Sequence, residues 1–196
     1  MVSDTTLPIA LQSSGAHLPG PELLRRLLLR GFCSFVSRPR ALRLFRREAR
    51  RIVRRLEELP VRQGAVRVLV EGVFGLPSRY WSAFMVADHL HRLVDDTSAV
   101  LDALAAGRDG GGELGLREGQ PRVGAGLEAV RRFVASVMDY EARVERLAAD
   151  RHARLPHPEL GPLCARGWLC LAALQLFIHR RQVERIVERL GERSRR

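Results

Sequence analysis

Lysine is absent from this chain. All 33 basic residues are arginine, set against 22 acids, and the net charge is +11. Surfaces selected for phosphate binding normally use both cations, because lysine is an adequate phosphate partner. Exclusive arginine beside abundant alanine, glycine and leucine points instead to the coding bias of a GC-rich genome. The charge by itself is therefore discounted as a sign of nucleic-acid function, although its field is real and attracts anions. Cysteine is scarce. Cys33, Cys164 and Cys170 cannot close a disulfide set and none lies in a CxxC pair, so the expectation is a reducing, cytoplasmic setting. Aromatics make up only 6%, which leaves Leu, Val and Ala to fill the core, a composition suited to helix packing. No run approaches the ~18 apolar residues of a membrane span. The opening residues lack a secretory pattern, and arginine is missing before Arg25, which argues against a transit peptide.

What is present fits one domain of 196 residues, a size at which about 70% of the unfolded surface can be buried. Residues 1–20, rich in Ser, Thr and Gly and broken by proline, read as a mobile tail. The domain is expected over 21–191, with 192–196 as a C-terminal tail. Pro21 and Glu22 suit a first helical turn, and the helical pattern of 21–59 is interrupted near Ser37-Arg38-Pro39. Beyond that break Leu42, Phe45, Ala49, Ile52, Val53, Leu56 and Leu59 recur at three- and four-residue steps, one face of a helix that Pro60 stops. Residues 63–75 allow a short helix or a strand; helix is preferred, because a lone strand has nothing to pair with. Ser78 is the expected N-cap of a helix over 79–106, about 40 Å long. A Gly-rich connection over 107–124 permits a crossover. Helices are then expected over 126–151 and 161–190, separated by a turn over 152–160 and ended by Gly191. No segment reads as a reliable strand, so the expected fold is all-α, a four-helix bundle with an extra short N-terminal helix.

HExxH, CxxC, Walker-type loops and GxSxG are all missing, and no nucleophile–base–orienter set can be named. The histidines are His17, His89, His91, His152, His157 and His179. His89 and His179 stand mid-helix on different helices, each on the inward face, which is how bundle metal sites are built. A neutral imidazole is a good ligand for Zn, Ni or Fe. Two imidazoles fall short of the three protein ligands of a usual catalytic zinc, and a buried helical histidine is more often a hydrogen-bonded core residue. His91 is expected to face solvent, and His152 and His157 to flank a surface turn. Cys164 and Cys170 read as inert thiols.

Two segments are more specific. One runs Gly75-Leu76-Pro77-Ser78-Arg79-Tyr80-Trp81-Ser82, then Met85-Val86-Ala87-Asp88-His89-Leu90. The other runs His157-Pro158-Glu159-Leu160-Gly161-Pro162-Leu163, then Trp168, then Gln175 and His179-Arg180-Arg181-Gln182-Val183. In this order and spacing, over about residues 40–190, the chain resembles the DinB-like (DinB/YfiT) superfamily of bacterial four-helix-bundle metalloenzymes. The resemblance implies a divalent metal held by three histidines, one on the second bundle helix and two in an HxxxH pair on the last. His89 matches the first position and His179 the last. The middle position is Gln175, a harder and weaker donor than imidazole. Its amide can ligate weakly, hydrogen-bond a water, or mark a site that has lost its metal.

The resemblance also implies a transferase or hydrolase, with the thiol S-transferase branch foremost. Zn or Ni is the first expectation for the metal, Fe or Mn the next, or none if Gln175 has abolished the site. The alternative is a metal-free bundle that serves as a binding or interaction module. Around the site, Gln182 can orient the His179 ring, Tyr80 and Trp81 can line the pocket mouth, and Asp96 can support His89 or stand at the surface. A small-molecule or thiol substrate and a homodimer are the expected partners. Between Arg25 and Arg55 stand twelve arginines and one acid, Glu48. This stretch reads as a solvated face or a contact to an acidic subunit; the other readings are phosphate backbones and anionic lipid.

Overall fold

The computed structural model describes residues 27, 31–32, 35–70, 79–108, 121–147, 153–158 and 160–194. The tail over 1–20 and most of the expected N-terminal helix lie outside them; Leu27, Gly31, Phe32 and Phe35 are helical.

Four long helices carry the fold. Helix α1, Arg38–Glu57, follows extended Ser37 with Pro39 in its first turn, where the missing N–H costs nothing. It buries Ala41, Phe45, Ala49, Ile52 and Leu56, the face its periodicity announced. A single turn, α2 (Val61–Gly64), comes next. Gly64 is buried there, and a Cβ at this position would collide with the Phe84 ring. Helix α3, Ala83–Ala105, starts after Ser82, whose Oγ accepts the Met85 N–H at 3.2 Å. Helix α4 is Leu127–Arg146, and α5, Ala165–Ser194, has 30 residues, about 45 Å of helix. Helix α5 runs through Gly191, which does not take the left-handed conformation that ends helices.

Two expectations about strands are overturned. Within the segment chosen as helix over 63–75, Gln63 and Gly64 are helical but Val68–Val70 forms β1, paired antiparallel with β2, Arg79–Trp81, in the register Val68↔Trp81, Leu69↔Tyr80 and Val70↔Arg79, and 71–75 lie outside the described residues. The partner lay inside the stretch assigned to the next helix. That helix therefore begins at Ala83, capped by Ser82, while Ser78 lies outside the described residues. A second hairpin pairs β3 (Leu155–His157), inside the expected turn over 152–160, with β4 (Gly161–Leu163), taken from the start of the helix expected over 161–190, and Pro156 faces Pro162. In a two-stranded ladder every strand is an edge, so proline's lack of a donor is tolerated. Gly161 has φ +74, a conformation that favours glycine at this turn.

Helix α1 packs against α5 and α4, and α3 packs against α4 and α5. The bundle order in space is thus α1–α5–α3–α4. The Gly-rich connection joins neighbours, and the crossovers are the α1-to-α3 and α4-to-α5 links, each carrying one hairpin. The interior closes around Phe45, Phe84, Phe133, Tyr140, Trp168 and Leu176, all fully buried. Phe45 stacks on Tyr140 with centroids 4.2 Å apart.

Two buried carboxylates pin the helices together. Asp88 on α3 accepts the Arg122 backbone N–H at 2.9 Å and the Arg122 guanidinium at 3.0 and 3.1 Å, and pairs with Arg92. Burial alone would raise its pKa, but the Arg122 and Arg92 hydrogen bonds outweigh it and hold the carboxyl below its ordinary value. This fastens the chain entering α4 onto α3. Glu48 on α1, 0% exposed, bonds Arg180 on α5 and Arg47 at 2.8 Å.

Candidate metal centre

The Ser82 cap sets where α3 begins, and His89 follows on its second turn. His89 is half-buried, while His179, midway along α5, is 5% exposed. Because α3 and α5 are neighbours, the two rings meet with centroids 4.8 Å apart and planes at 65°. The Trp81 ring, at the end of β2, lies 5.3 Å from that of His89. Arg79 shares the Trp81 side of the strand, since alternate residues share a face, and its guanidinium sits 4.6 Å from the Trp81 ring centroid. Tyr80 points to the opposite face, is 49% exposed, and carries the Arg67 guanidinium over its ring. The β1–β2 hairpin thus brings Trp81, rather than Tyr80, to His89.

His179 has a defined protonation state. Its Nδ1 lies 2.9 Å from Gln182 Oε1. An amide oxygen only accepts, so Nδ1 carries the proton and Nε2 presents a lone pair. Burial, then the nearby His89 and Arg79, pull the His179 pKa down to about 3 against the opposing effect of the Gln182 hydrogen bond. The ring is neutral at physiological pH, the form that binds metals. Gln175 is half-buried on α5, one turn before His179 on the same side of the helix.

The separation suits a shared ion. Two imidazoles on one tetrahedral zinc, with Zn–N about 2.0–2.1 Å, place their centroids about 5 Å apart. Among the described residues no group of three His, Cys, Asp or Glu converges; the third position of the resemblance falls on Gln175. Asp96, half-buried, lies two turns after His89 on α3.

Other histidines have local roles. His91, expected in solvent, is half-buried, with Nδ1 2.7 Å from Ser136 Oγ and 3.3 Å from Asp95. These three residue types match a hydrolytic triad, but both partners share one ring nitrogen, and the Ser136 hydroxyl donates to Arg132 O at 3.0 Å. A triad needs its acid and its nucleophile on opposite ring nitrogens. His157 accepts the Leu160 N–H at 3.3 Å and closes its own hairpin. Cys170 is buried and Cys164 half-buried. His17, Cys33 and His152 lie outside the described residues. Sequence reasoning missed Arg79 as a contributor to the site, because its strand was read as helix.

The depressed pKa has a consequence for stability. In the unfolded chain the His179 ring takes up a proton near pH 6.5, whereas in the fold it stays neutral down to about 3. Its contribution is full above pH 6.5 and falls on acidification, by up to about 1.4 kcal/mol per pH unit. Urea titrations at pH 7, 6 and 5 are expected to show this loss, and His179→Asn to lose less over the same interval. Equal slopes in the two proteins would contradict the assignment.

No family model matches the chain, and no curated protein matches it either. The fold is similar to that in the crystal structure of TT2238, a four-helix bundle protein, with a TM-score of 0.54 and 22% identity over 76% of this chain and 98% of that one. At that identity the likeness establishes the four-helix bundle. Among the described residues no helix is long and apolar enough to cross a membrane.

Proposed function

We propose that the protein is a DinB-like, divalent-metal-dependent transferase of the thiol S-transferase kind, with His89, His179 and Gln175 as its metal-binding residues. The observation that supports this reading is the meeting of two imidazoles from neighbouring helices, centroids 4.8 Å apart, one of them fixed as the neutral ligand form. A divalent metal held there would lower the pKa of a thiol or water and supply a nucleophile near neutral pH. Gln182 orients the His179 ring, as hydrogen-bond partners of ligating histidines do. The buried Trp81 ring packs beside His89, and Arg79 adds positive charge near His179. A small thiol substrate, Zn or Ni as the metal, and a homodimer belong to the same reading.

A second reading is a metal-free bundle acting as an interaction module. It is favoured by Gln175 at the position where the resemblance expects histidine. The ring geometry also fits an edge-to-face aromatic pair, for which centroids 4.5–7 Å apart are usual.

Untagged protein loaded with zinc or nickel is expected to conjugate a small thiol to 1-chloro-2,4-dinitrobenzene. The S–H proton is lost, an S–C bond forms, and chloride leaves. Chelation, or His89→Ala, should lower that rate at least ~100-fold. A rate indifferent to both would refute the enzymatic reading.

A further inference from the structure

The outward face of α1 has a composition that the bundle itself does not require. From residue 40 to residue 55 every exposed residue is arginine: Arg40, Arg43, Arg47, Arg50, Arg51, Arg54 and Arg55. The segment's one acid, Glu48, is fully buried beneath them. Arg40, Arg43, Arg47, Arg50 and Arg54 recur at alternating steps of three and four, which aligns them along one side of the helix for about 21 Å. Arg40, Arg43, Arg50 and Arg54 make no ion pair among the described residues, and Arg47 shares the buried Glu48. Of the acids close by, Glu141 and Glu145 on α4 hold Arg46 and Glu58 holds Arg55, while the exposed Glu57 stands one step beyond Arg54 and ends the row. Coding bias accounts for arginine in place of lysine. It does not account for a row of arginines, four of the five without an ion pair among the described residues, with no other exposed residue type between residues 40 and 55.

We infer that this row is a docking surface for the phosphate backbone of duplex nucleic acid. A protein partner would need apolar anchors at the centre of its interface, and this face has none. Helices that lie on lipid insert their apolar side, but the apolar side of α1 is sealed in the core, with Phe45, Ile52 and Leu56 at 0% exposure. What remains is a straight array of point contacts. Its ~21 Å length matches the rise of about six phosphates along one strand of a duplex. Contacts of this kind carry no base recognition, so the binding is independent of sequence.

The test is fluorescence anisotropy of the full chain with a labelled 20-base-pair duplex of arbitrary sequence, from 50 to 200 mM KCl. Four neutralised phosphates predict a slope of log K against log salt of about −3.6, a loss of about 100-fold over that range. Arg43→Gln with Arg50→Gln, both exposed and without an ion pair among the described residues, is expected to bring the slope to about −1.8 with no change in Tm. Arg154→Gln with Arg166→Gln, exposed arginines on other parts of the surface, should leave it unchanged. Absence of binding, an equal loss in the control variant, or tighter binding to phosphatidylserine–phosphatidylcholine vesicles than to the duplex would overturn the inference.

Discussion

Glu48→Ala is expected to lower the unfolding free energy by about 3–5 kcal/mol, measured by urea denaturation at pH 7. Glu48 is 0% exposed, and its main partner, the Arg180 side chain, is only 9% exposed. The pair bridges α1 and α5, two of the packed neighbours that form the bundle. Truncating the acid strands a buried guanidinium, whose desolvation is then no longer offset. Glu184, which also bonds Arg180, keeps the loss toward the lower end. Glu48→Gln, which keeps the shape and one acceptor oxygen, should lose less than the alanine variant. A loss below about 1 kcal/mol for Glu48→Ala would mean that Arg180 reaches water when its partner is removed.

Gln175→His is expected to tighten zinc binding about 100-fold, since a third imidazole completes the ligand count usual for zinc. The position is one turn before His179 on the same side of the helix and half-buried, which is where the resemblance expects a histidine. Calorimetric titration of untagged parent and variant decides the matter. Measurable affinity in the parent with a large gain in the variant supports the His/Gln/His site. Affinity only in the variant supports the metal-free reading. Identical affinities would show that position 175 does not address the pair of rings.

The long helices were legible because apolar residues recur at three and four residues over many turns, as in Phe45, Ala49, Ile52 and Leu56. The convergence of His89 with His179 was legible for a related reason: each sits on the inward stripe of its helix. Gln182 was legible as a partner of His179 by its spacing of three residues. The hairpins were not. A three-residue strand such as Val68–Val70 shows barely one period of alternation, and its partner at Arg79–Trp81 is separated by a turn and was absorbed into a helix pattern. The error hid Arg79 from the site and moved the helix cap from Ser82 to Ser78. Glu48 was missed as an anchor because an acid among arginines on a helix looks like a solvated pair, and Asp88 because its main partner, Arg122, is distant in sequence. Only the packing of α4 and α5 shows that each is sealed from water. The crossovers also escaped sequence reading, since glycine content reports flexibility and not which helices become neighbours.

The most direct test of the central claim is to follow the imidazole nitrogens by 1H–15N NMR while zinc is added to untagged protein at pH 7. The His89 and His179 ring resonances are predicted to shift together and saturate at one equivalent of metal, with His179 retaining its Nδ1 proton on Gln182. Rings that do not respond, or a response confined to one of them, would contradict a shared metal centre between α3 and α5.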